Sequence, residues 1–174
     1  QDSPRRSENL VFRMLAGIGE SALDVYHAVN QSNDETSAGS FPCSHFRSRV
    51  LDCLPAPFID TIRLSAYKDG DEVAFVDFNG ANATYLSWFS STRVLNSSWA
   101  DLESAQAAFE IDGRVNRHFY IPYTDQTGCD NIKGWLIVRD VSAGTCEKWE
   151  DKPPYPVILY SKGESLVSWN SGSE

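Results

Sequence analysis

The chain has 174 residues, 41% of them hydrophobic and 12% aromatic, with a formal net charge of −9 and a pI near 4.7. That length fits one domain with a substantial core over residues 1–174, and that composition excludes a disordered chain. The acidic balance repels phosphate backbones and anionic lipid, which removes nucleic acid and membranes from the expected partners, and no stretch approaches the ~18 apolar residues of a membrane span.

In chain order, residues 1–9 (QDSPRRSEN) read as a loose polar arm. LVFRML (10–15) reads as a strand ended by the glycines of AGIGES, and ALDVYHAV (22–29) as a second strand, because Val and Tyr favour a pleated surface. A long polar loop covers 30–42, and LPAPF (54–58) has two prolines that bar a regular helix. Ile62, Leu64 and Ala66 alternate with Arg63, Ser65 and Tyr67, the period of a half-buried strand. Asp69-Gly70 follows, a two-residue hairpin signal, since a type I′ turn needs positive φ at both centres. The return strand runs through Val73 to Phe78 to a turn at Asn79-Gly80, and 84–89 (TYLSWF) reads as the third strand of the meander.

TRVLNSSW (92–99) reads as another short strand. Asp101 opens a possible single helical turn, and Phe109 and Ile111 lead into a strand. RHFYIPY (117–123) is an aromatic strand, and WLIVRDV (135–141) is a near-continuous apolar run suited to a central position. YPVILY (155–160) and SLVSW (165–169) complete the set. Short strands separated by turn signals predict an all-β fold, a sandwich or barrel of antiparallel strands with little helix.

Cysteines and sequons point to the habitat. Cys43, Cys53, Cys129 and Cys146 allow three pairings, and Cys43–Cys53 with Cys129–Cys146 close the shortest loops. Asn30, Asn82 and Asn96 each open an Asn-X-Ser/Thr sequon without proline. Together with a chain that begins at Gln1, as after signal cleavage, these features predict a secreted, extracellular, N-glycosylated protein. No zinc spacing or EF-hand frame is present, and Asp69, Asp71 and Glu72 cluster at a turn tip, so no metal and no cofactor are expected.

Chemistry concentrates between Arg114 and Trp135. An extended strand would put Arg117, Phe119, Ile121 and Tyr123 on one face and His118, Tyr120 and Pro122 on the other. His118, Arg117 and Tyr120 are the candidate catalytic residues, with His118 as base or hydrogen-bond donor. Tyr123, Trp135 and Trp88 are candidate ligand-binding aromatics, although most of the five Trp belong in a core. The competing reading makes all of these ordinary half-buried strand residues. Expected partners are an apolar small molecule or a glycan, and a homo-oligomer is compatible with the sequence.

NLVFRMLAGIG, LSAYKDGDEVAFVDFNG and GCDNIKGWLIVRD give the chain the look of a known group. It resembles the small secreted glycoproteins of molluscs, among them the luciferases of freshwater limpets. The resemblance implies an oxygen-dependent, cofactor-independent reaction on an apolar substrate with light as a product, and it maps no catalytic motif residue by residue. The alternative is a lectin-like or extracellular-matrix module without enzymatic activity.

Overall fold

The computed structural model describes residues 9–30, 43–124, 132–142 and 149–169. Among them, three antiparallel sheets stand beside one short α-helix, an all-β fold as expected. The smallest sheet pairs β1 (Phe12–Arg13) with β2 (Phe46–Arg47). Between them lies α1, Ala22–His27.

This helix replaces the strand expected at 22–29. The Ser21 hydroxyl accepts the Asp24 N–H, and the Asp140 carboxylate accepts the N–H groups of Ala22 and Leu23 and the Ser21 hydroxyl proton. Most of the helix's orphan donors are thereby satisfied, and that outweighs the strand propensity of Val25 and Tyr26.

The three-stranded sheet is the meander. β3 (Thr61–Lys68) and β4 (Asp71–Asn79) pair in register around Leu64↔Val76. Asp69 (φ 55°) and Gly70 (φ 94°) form the turn, as the Asp-Gly signal requires. Ala74, Val76 and Phe78 face the core, while Arg63, Glu72 and Asp77 form ion pairs on the other side. The third strand is β5 (Val94–Ser97), not 84–89. Residues 84–89 form turns closed by reciprocal bonds between Thr84 and Ser87, which deliver Trp88 and Phe89 into the core.

The remaining sheet comprises β6 (Glu110–Asp112), β7 (Arg117–Pro122), β8 (Lys133–Arg139), β9 (Val157–Tyr160) and β10 (Val167–Ser168). β8 is central, flanked by β7 on one edge and by β9 and β10 on the other. The main core joins this sheet to the meander through Val76, Phe78, Trp88, Phe89, Phe119 and Leu136. A second, smaller cluster of Tyr120, Ile132, Ile137 and Trp169 lies apart from it, with Trp149 and Leu159 packed against it.

Candidate functional site

β7 carries the candidate catalytic residues, and a bulge rearranges them. Its register against β8 shifts between His118 and Ile121, and Phe119 takes φ 43°. Two successive residues therefore point the same way. The strict alternation expected from the sequence fails here. Phe119 and Ile121 enter the main core, and Tyr120 enters the second cluster beside Arg117, whose guanidinium lies 5.6 Å from the Tyr120 ring centre. His118 goes to the α1 side, by Asp140. Close approach at the bulge also requires Gly134, where a Cβ would stand 2.4 Å from the Ile121 carbonyl oxygen.

On the α1 side, His118 Nε2 lies 4.0 Å from Asp140 Oδ2 and its Nδ1 is buried with no partner. Burial pushes the His118 pKa below its ordinary value; Asp140, Asp112 and Asp24 oppose that shift and Arg139 adds to it. Asp140 is engaged by the start of α1, where it accepts from the Ser21 hydroxyl and from the Ala22 and Leu23 N–H groups. A second pair, His27 Nε2 and Asp112 Oδ1 at 2.7 Å, lies nearer the surface.

On the other side, Arg117 and Arg139 converge on Glu150, all three fully buried. Arg117 donates through Nε and Nη2 to the two Glu150 oxygens at 2.9 Å, a bidentate pair, and Arg139 Nη1 lies 2.7 Å from Glu150 Oε2. Arg139 Nε is buried without a partner, and burial pushes the Tyr120 phenol, which faces the Arg117 guanidinium, up to about 12. The Arg117 guanidinium also lies 5.9 Å from the Trp149 ring centre. Glu150 thus ties its neighbour in sequence, Trp149, to the sheet.

Above this triad the surface opens into a cleft of about 220 Å³. Trp149 and Trp169 line it, their rings stacked at 6.0 Å and 8° apart. β9 supplies Ile158, Leu159 and Tyr160, and Lys152 and Lys162 are its exposed basic residues. None of the six residues singled out by the sequence lines this cleft. The bulge separates His118 from Arg117 and Tyr120, which stay together. Trp88 and Trp135 are core residues, their indole N–H groups donating to the Tyr26 hydroxyl and to Asp101 at 2.7 Å each. Tyr123 is exposed, 6.4 Å from Trp135.

In the sequence Trp149 and Trp169 are two of five tryptophans with nothing to set them apart. The nearest signal was a Trp between lysines in EKWEDK (147–152), whose stacking partner comes much later in the chain.

Cys43 and Cys53 are exposed and are not joined to each other, since the Cys53 thiol is free; the expected bridge between them is corrected. The segment it would have closed is held instead by the Arg47–Asp52 ion pair and by Ser48, whose hydroxyl accepts the Val50 N–H. Cys129 and Cys146 lie outside the described residues. Asn30, Asn82 and Asn96 are all exposed. Among the described residues no group of three or more His, Cys, Asp or Glu is placed to hold a metal ion, and no helix is long and apolar enough to cross a membrane. Comparison with known protein families, with curated proteins and with solved structures returns no match for this chain.

Proposed function

We propose that this chain is an extracellular, N-glycosylated β-protein that binds a small apolar molecule in the cleft formed by Trp149 and Trp169. One observation carries the reading: two stacked indoles, backed by a buried ion-pair triad, face an open cleft whose other walls are Ile158, Leu159, Tyr160 and two lysines. Packed aromatic walls with few polar groups are what ligand sites are made of. At about 220 Å³ the cleft is smaller than the ~300–1,000 Å³ typical of drug-sized sites, which limits the ligand to one or two fused rings with any remainder in solvent.

A glycan fits this cleft poorly. Sugar hydroxyls need acceptors as well as donors, and the lining side chains include no carboxylate or amide.

The test is calorimetric titration with 2-naphthol, a neutral two-ring probe. Saturable binding is expected, and Trp169→Ala should weaken it by roughly 2 kcal/mol, about thirtyfold in Kd. An unaltered Kd in that variant would remove the cleft from the reading. The catalytic form of the proposal is the luciferase-type oxidation implied by the likeness to the limpet Latia. It predicts photons when the luciferin meets the protein in air; bound luciferin without light would leave a binding protein.

A further inference from the structure

We propose that this chain pairs with a second copy of itself along the open edge of β3, joining the two meanders into one continuous antiparallel sheet. β3 is the outermost strand of its sheet, and β4 is its one neighbour among the described residues. It has eight residues and no proline, whereas β5, β6, β9 and β10 have four or fewer. A long open edge presents a row of unpaired backbone groups that recruits another strand.

The hydrogen-bond phase fixes which groups are on offer. The Gly80 N–H donates to the Asp60 carbonyl oxygen, so by alternation Ile62 and Leu64 also bond inward to β4. The N–H and C=O groups of Thr61, Arg63 and Ser65 then point outward, and among the described residues they bond to no other element.

The strand's own pattern selects the occupant. Outward groups must meet outward groups, and like faces must adjoin. A symmetric pair centred on Arg63 would set two guanidiniums against each other. Centred on Leu64, it sets Arg63 opposite Ser65 of the second copy, whose hydroxyl donates to Glu72 at 2.6 Å. Glu72 and Asp77 together outnumber Arg63, so each guanidinium meets a corner with spare negative charge. On the other face Leu64 meets Leu64, and Ile62 meets Ala66. All three are half-buried against the main core, which the pairing extends across the two-fold axis. The bulge between Ala66 and Tyr67 ends the regular stretch, so the contact is short and the dimer weak.

Sedimentation equilibrium of the intact chain should give a dissociation constant of about 10 µM. Ser65→Pro removes an outward N–H that β4 does not use and sets its ring in the path of the second copy. It should weaken the dimer at least about tenfold with unchanged circular dichroism. Hydrogen exchange on the unmodified protein reads the same contact without a variant. From about 1 µM to about 100 µM the Arg63 and Ser65 amides should slow roughly fivefold, while the Ile62 and Leu64 amides stay protected throughout. A chain that stays monomeric overturns the proposal and leaves the edge to some other extended segment. So does a dimer that Ser65→Pro leaves intact, or one whose Arg63 and Ser65 amides exchange as fast as the monomer's.

Discussion

His118 is held neutral by its surroundings. The buried imidazole binds its proton less tightly than it does in the unfolded chain, where the value is near 6.5. Its contribution is therefore complete above that pH and is lost as pH falls from 6.5 toward the lower folded value, by about 1.4 kcal/mol per unit of depression. Urea denaturation at pH 7 and pH 5 should show the protein losing stability on acidification, and His118→Gln should flatten that loss. Equal slopes would mean that Asp140, Asp112 and Asp24 compensate the burial fully. The same residue shows what a pattern can and cannot tell. Its place in an aromatic strand was legible, whereas its separation from Tyr120 was not, because a one-residue bulge leaves no mark in the hydrophobic alternation.

At the scale of elements, legibility follows the range of the contact that decides each one. The β3–β4 hairpin was readable because alternation and Asp69-Gly70 are both local. α1 was less so, because beside its local Ser21 cap it leans on Asp140, more than a hundred residues downstream. Residues 84–89 have the aromatic content of a strand, but the Thr84 and Ser87 side chains bond to each other's backbone N–H groups, which are then not offered to a neighbouring strand.

The β6–β7 hairpin carries a local conflict of its own. The Arg117 N–H bonds the Arg114 carbonyl oxygen across Val115 (φ 61°) and Asn116 (φ 55°). Asn tolerates the left-handed region, but a β-branched Val does not. Val115→Gly should therefore stabilise the protein by roughly 1 kcal/mol, read as a raised thermal midpoint with unchanged circular dichroism. A lowered midpoint would mean that the Val115 side chain supplies packing worth more than the strain.

For the molecule as a whole, the fold class was legible from the spacing of strands and turns, but the cleft was not. Trp149 and Trp169 meet only because β8 is flanked by β9 and β10 on one edge and the Arg117–Glu150–Arg139 triad fastens the intervening segment down. Glu150→Gln would leave two buried guanidiniums without their carboxylate and should cost roughly 3–5 kcal/mol in urea denaturation, with 2-naphthol binding weakened as Trp149 loses its anchor. A loss below about 1 kcal/mol would show that the two arginines are satisfied by other means.

The stacked indoles have an optical consequence. At 6.0 Å and 8° apart, the two rings are close enough to exchange excitation. A quencher that reaches one should darken both, so the pair would signal an arriving guest with twice the amplitude of a solitary tryptophan.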